Sequence, residues 1–153
     1  MAAVYERSKK MKGLRTEIEI QASPEKVWQI LTNLDEYPQW NPFIHHAIGT
    51  AKVGEKVDIT FWSGSKEMTL HCTVIRAEPN RELCWKYHVI LPALFSGEHS
   101  FVIEQIENNR VHFIDREVFS GLLVSSQAKD IDTNSKRGFE EMDKALKARA
   151  EKN

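Results

Sequence analysis

The stretch "SPEKVWQILTNLDEYPQWNPFI" (residues 23–44) holds two of the chain's four tryptophans and three of its five prolines. Ser23-Pro24-Glu25 has the chemistry of a helix start. Ser can cap the free amides, Pro fits the first turn, and Glu favours the positive helix end. Val27, Ile30, Leu31 and Leu34 then share one helical face. Asp35 is placed to cap a second short helix, and Pro38 is tolerated in its first turn because that amide has no intrahelical partner. Pro42 keeps Asn41 out of helical geometry, so the chain must leave as an extended segment. The reading is helix, kink, helix, strand. Trp28 and Trp40 are expected to anchor the helix pair by packing rather than to touch a ligand.

Outward from this stretch the pattern changes to alternation. Residues 14–21 (LRTEIEIQ) place Leu14, Ile18 and Ile20 on one face of a first strand. Downstream, strands are expected over 44–49, 56–62, 67–77, 82–90, 98–107 and 111–120. Turn signals at Gly54, Ser63-Gly64-Ser65, Pro79-Asn80 and Asn108-Asn109 separate most of them. Short turns between consecutive strands make an antiparallel meander. The last 30 residues return to a helical period: Val124, Ala128, Ile131, Ser135, Gly138, Met142 and Ala145 form one seam, with Phe139 and Leu146 beside it. A sheet with one apolar face must cover it, and the cover available is this long helix plus the pair at 24–40. The expected class is α+β.

At 153 residues, 41% hydrophobic and 28% charged, the chain can bury an ordinary core in one domain, expected over 14–150. A formal charge of −1 gives no global reason to expect nucleic acid. Residues 1–13 carry Arg7, Lys9, Lys10 and Lys12 without an apolar run, which reads as a flexible basic arm rather than a signal peptide. No stretch approaches the roughly 18 apolar residues of a membrane span. Nothing bears on the oligomeric state.

Alternation sorts the strands. Met68, Leu70, Cys72 and Val74 share a face, as do Leu83, Trp85, Tyr87 and Val89. A tight turn at Pro79-Asn80 pairs Glu78 with Arg81 and sets Val74 against Trp85. Cys72 then points inward and the more reactive Cys84 outward, so two free thiols and a reducing, cytoplasmic setting are expected. His99, Phe101 and Ile103 share a face in the next strand. Val111, Phe113, Asp115, Glu117 and Phe119 join them if the turn near Asn108-Asn109 has three residues or a bulge. The opposite face of that last strand is half apolar too, so both faces stay open. The six histidines show no helical i, i+4 pair and no Cys partner, so no metal site is expected.

This element order, together with "IEIQASPEKVWQILTNLDEYPQWNPFI" at 18–44, Leu83-Cys84-Trp85, "GEHSF" at 97–101, "REVFSGLL" at 116–123 and "RGFEEMDKALKARAE" at 137–151, resembles the START-like helix-grip superfamily, also called SRPBCC. Within it the similarity is to the polyketide cyclase/dehydrase-like or lipid-transport-like group. The resemblance implies a curved sheet of about seven strands around the C-terminal helix, with an apolar cavity between them and no cofactor. Combined with the faces sorted above, the ligand-contacting candidates on the first two of these strands are Met68, Leu70, Cys72, Leu83, Trp85 and Tyr87. The last two strands add His99, Phe101, Ile103, Phe113, Glu117 and Phe119, and the helix adds Gly138 and Met142.

Three candidates carry chemistry. His99 fits a core histidine bonded to Glu117, Asp115 or a tyrosine, and this weighs more than a chemical role. Inward Asp115 and Glu117 need a partner or solvent. Otherwise one of them is a general base beside a substrate carbonyl, with His99 or Tyr87 steadying the oxyanion. "VILPALFSG" at 89–97 is too apolar for a free loop and is expected either to gate the cavity or to form an exposed patch. Gly138 on the inward seam signals close approach, by sheet side chains or by a ligand. The function expected is binding of a small hydrophobic or aromatic molecule. The alternatives are a cyclase/dehydratase-like enzyme and a module resembling chaperone activators.

Overall fold

The computed structural model describes residues 11–152, so most of the expected basic arm lies outside the described residues. Strand β1 (Met11–Ile20) starts three residues before the expected Leu14. It is followed by α1 (Pro24–Thr32), a 3-10 turn (Leu34–Glu36) and α2 (Tyr37–Trp40). Six more strands follow: β2 (Ile44–Gly49), β3 (Lys56–Ser63), β4 (Lys66–Glu78), β5 (Glu82–Val89), β6 (Phe95–Glu107) and β7 (Arg110–Ser120). The chain ends with α3 (Val124–Asp130), a π-helical segment (Ile131–Ser135) and α4 (Lys136–Glu151). The strands form one antiparallel sheet in the order β1-β7-β6-β5-β4-β3-β2. The helices cover its apolar face, and the core lies between them.

Local chemistry explains the entry into this fold. Ser23 Oγ accepts from the Lys26 amide at 3.2 Å, and Val27 and Leu31 are buried beneath α1. Asp35 lies inside the 3-10 turn and caps nothing. The helix pair is locked instead by the Tyr37 hydroxyl, which donates to the Leu31 carbonyl at 2.7 Å. Asn41 is extended, as Pro42 demands, and its side-chain oxygen accepts from the amides of Phe43 and Ile44 at 3.0 and 2.9 Å. This corner aims Phe43 into the interior, where its ring lies directly over Gly138.

Register follows the apolar faces by two compensations. Glu78 pairs with Glu82 rather than Arg81, which leaves a three-residue turn with Asn80 at φ 65°. A bulge at Ile75 restores the alternation, so Val74 still opposes Trp85. Between β6 and β7 the turn at Asn108-Asn109 has two residues, and a bulge at Ile106 supplies the odd count. Phe101 therefore opposes Asp115 and His99 opposes Glu117, with both pairs inward.

Two expectations need correction. Cys84 is on the outer face but is fully buried, because the Ser100 hydroxyl donates to its sulfur at 3.2 Å and the Arg76 guanidinium covers it at 3.7 Å. Burial raises both thiol pKa values, but at Cys84 the Ser100 hydroxyl and the Arg76 charge pull the other way, so what is corrected is the exposure expected of Cys84. The C-terminal helix is also not one uniform α-helix. Its π segment widens a turn and advances the inward face, so Phe139, Met142, Leu146 and Ala150 are buried, with Asp143 among them, while Ala145 is not.

The space over Gly138 predicts a coupling. A Cβ there would collide with the Phe43 ring. Gly138→Ala should therefore cost about 1–3 kcal/mol in denaturant melts despite its better helix propensity. In a Phe43→Ala background the same change should cost much less. A stabilising Gly138→Ala in the wild-type background would contradict this packing.

Candidate functional site

A cavity of about 270 Å³ lies between the sheet and the C-terminal helix, toward the end of the sheet where β3 meets β4. Its wall is largely apolar. Ile59, Phe61, Met68 and Leu70 come from β3 and β4, Val89 from β5, Phe95 from β6 and Phe119 from β7. Phe43 and Ile44 close one side, and Leu123, Ile131 and Phe139 close the helical side. Gln127, Asp130, Ser135 and Ser63 add polar atoms, and Tyr87, His99 and Glu117 form a buried polar end.

Alternation brings that polar end together. His99 on β6 and Glu117 on β7 are directly opposed, Trp85 faces His99 from β5, and the polar neighbours on the same face are the diagonal Asp115 and Tyr87. His99 Nε2 lies 2.6 Å from Asp115 Oδ1, and its Nδ1 lies 3.0 Å from Glu117 Oε1. With a carboxylate on each nitrogen, the ring donates from both sides as an imidazolium. It stacks on Phe139 at 4.7 Å and 7°. The Tyr87 hydroxyl donates to Glu117 Oε2 at 2.6 Å. Tyr87 reaches it by lying across Gly97, where any Cβ would collide with the phenol ring.

The chain of polar contacts continues behind His99. Thr16 on β1 donates its hydroxyl to Asp143 Oδ2 at 2.5 Å. Asp143 Oδ1 and Asp115 Oδ2 are both buried without another partner. One proton reconciles them: a protonated Asp143 donates to Asp115. Burial pushes the Asp143 carboxyl up, the Asp115 charge adds to it, and the two outweigh Thr16 to bring it to about 9. For His99, burial alone would lower the pKa. Asp115 and then Glu117 overturn that and push it up to about 10. Burial, reinforced by Glu117, holds the Tyr87 phenol well above its ordinary range.

Six of the residues singled out in the sequence lie on the cavity wall: Met68, Leu70, Tyr87, His99, Glu117 and Phe119. Cys72, Leu83, Trp85, Phe101, Ile103, Phe113 and Met142 share the inward side but sit in the packed core beyond it. Gly138 is covered by Phe43, and Asp115 lies behind His99. Alternation identifies the inward face but not how far along each strand the helix touches it. Sequence reasoning missed Phe43, Ile59 and Phe61 on the wall, although Ile59 and Phe61 carry the same alternation signal. It also missed Asp143, which is hidden among the acids and lysines of the helix's charged pattern. The 89–97 segment divides its roles: Val89 and Phe95 line the cavity, while Ile90 and Leu91 are 75% and 57% exposed. Among the described residues no group of His, Cys, Asp and Glu side chains is arranged to hold a metal ion. No helix among them is long and apolar enough to cross a membrane.

The raised pKa values give a pH dependence with a definite sign. In the unfolded chain the His99 and Asp143 protons leave near 6.5 and 3.8, and in the folded protein near 10 and 9. Each contribution is complete below the unfolded pKa and is lost as pH rises through the folded one. Between pH 7 and 9 the folded state holds the extra protons, so stability falls with pH, by at most about 1.4 kcal/mol per pH unit for each group. Denaturant melts should show that fall, and Asp143→Asn should make it shallower. A flat or rising wild-type profile would contradict the protonation pattern.

The sequence model described as polyketide cyclase / dehydrase and lipid transport matches residues 11–151. No curated protein sequence matches the chain. Among solved structures, the ZhuI aromatase/cyclase from a Streptomyces species superimposes with a TM-score of 0.77 at 12% identity, covering 92% of this chain and 94% of that one. A START superfamily protein from Mycobacterium smegmatis gives 0.73 at 18% identity, with coverages of 91% and 97%. Truncated norcoclaurine synthase from Thalictrum flavum gives 0.71 at 13% identity, with coverages of 94% and 95%. At these identities the likeness speaks for the fold.

Proposed function

Because the chain belongs to the polyketide cyclase/dehydrase and lipid transport family of the START-like helix-grip superfamily, we propose that it binds a small, mainly apolar molecule in the cavity between sheet and helix. The observation that carries this reading is the contrast between the wall and its polar end. A wall of aliphatic and aromatic side chains supplies burial, and one compact cluster supplies orientation. The volume, about 270 Å³, lies just below the roughly 300–1,000 Å³ of most ligand pockets. It suits a ligand of about one or two rings better than a sterol. Two unpaired thiols fit a reducing, cytoplasmic setting.

Turnover of a polyketide-type substrate in the same cavity has less support. Such chemistry needs a free donor to steady the developing oxyanion. Both His99 nitrogens are already engaged by carboxylates and the Tyr87 hydroxyl proton by Glu117, so the cluster offers no such donor. The cluster is built to stay as it is. Binding is the reading it favours.

The neutral two-ring fluorescent dye prodan (6-propionyl-2-dimethylaminonaphthalene) tests this directly. It should bind the wild-type protein saturably with enhanced emission. Leu70→Trp, which fills the cavity from β4, should weaken binding by about tenfold or more with little change in melting temperature, because the added ring enters empty space. No saturable binding to the wild type, or undiminished binding to the folded variant, would overturn the proposal.

A further inference from the structure

The inner end of the cavity has a charge that nothing on its wall balances. Asp115 and Glu117 flank a single imidazolium, so two carboxylates share one cation. Asp143 retains its proton and adds no charge. No lysine or arginine stands among the described residues lining the cavity, and the remaining charged group, Asp130 near the helix, is another carboxylate, bonded to the Asn134 amide at 2.7 Å. A buried, uncompensated negative charge is costly in apolar surroundings.

The hydrogen-bond inventory points the same way. Both N–H groups of His99 and the hydroxyl proton of Tyr87 are committed within the cluster. What remains toward the cavity is acceptor capacity: spare lone pairs on the Glu117 carboxylate and on the Tyr87 oxygen. A ligand carboxylate would meet no donor there. An alcohol could donate one proton but would leave the charge in place. The rest of the wall is rich in aromatic rings, among them Phe43, Phe61, Phe95 and Phe119, whose faces attract cations.

We propose that the ligand is an organic ammonium ion, an apolar molecule of about one or two rings whose protonated amine donates to Glu117 and the Tyr87 oxygen at the buried end of the cavity. This rests on the reading of the cavity as a binding site and names the chemistry of its occupant. The ammonium supplies the missing positive charge and donors for both acceptors, and the aromatic wall takes the hydrocarbon body.

Four matched probes, each displacing the neutral dye from the full chain at pH 7, provide the test: 2-phenylethylamine, 2-phenylethanol, 3-phenylpropionate and N-acetyl-2-phenylethylamine. The amine should bind about tenfold or more tighter than the alcohol, the carboxylate should fail to compete, and acetylation should erase the advantage. Glu117→Gln should bring the amine and the alcohol to parity. The acetylated probe gives the same comparison on the wild-type protein, whatever that variant's stability. If the dye binds but the alcohol or the carboxylate equals the amine, the ammonium proposal is wrong and the cavity reading stands. If neither the dye nor any probe binds, both are wrong.

Discussion

His99 is buried between two carboxylates, and much of the molecule is arranged around that fact. A buried ion pair is stable only when every remaining valence is met, and breaking one partner of such a pair typically costs about 3–5 kcal/mol. Here the valences are met by residues from distant parts of the chain. Tyr87 on β5 satisfies one Glu117 oxygen, and it reaches that oxygen because position 97 on β6 lacks a side chain. Asp143 on α4 satisfies Asp115 through its proton, and Thr16 on β1 holds Asp143 in turn. One cation thus ties β1, β5, β6, β7 and α4 at a single point. Proton count and fold are the same problem at that point, which is why stability should follow pH there.

The cavity arises beside this tie because the sheet is filled unevenly. Toward one end Trp85, Phe101 and Phe113 are fully buried in the packed core, and Trp85 and Phe101 meet edge to face at 5.1 Å. Toward the other end the inward residues of β3 and β4 are aliphatic or lie near the rim, and the helix opposite them passes through its π segment. The Asn41-Pro42 corner sends Phe43 into the boundary between the two regions, and Gly138 yields the room. Proline placement in the opening stretch therefore sets more than a helix end. It positions the ring that separates packed core from open cavity.

Much of this was legible in the chain. The Ser23 cap, the proline at the start of each short helix and the period-2 faces of the strands give the element order and an antiparallel sheet covered by helices, and the helix-grip arrangement itself is what the resemblance implied. The inward set on the last strand stayed open in the sequence, because its opposite face is half apolar too, and the bulge at Ile106 decides it by keeping Phe113 beside Ile103. What alternation could not supply was position along the strand, so Trp85 and Phe101 looked like cavity wall when they are core. Helical periodicity could not anticipate the π segment either. Because that segment advances the buried face, it turned Asp143 inward and left Ala145 aside. Cys84 failed for a different reason: an outward side chain can still be covered by its neighbours, here Ser100 and Arg76.

The central claim is that His99 is a buried imidazolium well above neutral pH. Nitrogen-15 NMR of the imidazole ring measures this directly, since a ring protonated on both nitrogens is distinct from either neutral tautomer. At pH 8 the ring of His99, assigned by its loss in His99→Gln, should show two protonated nitrogens, with no titration until the pH approaches about 10. A neutral His99 tautomer at pH 8, or a titration near its ordinary value of 6.5, would contradict the account.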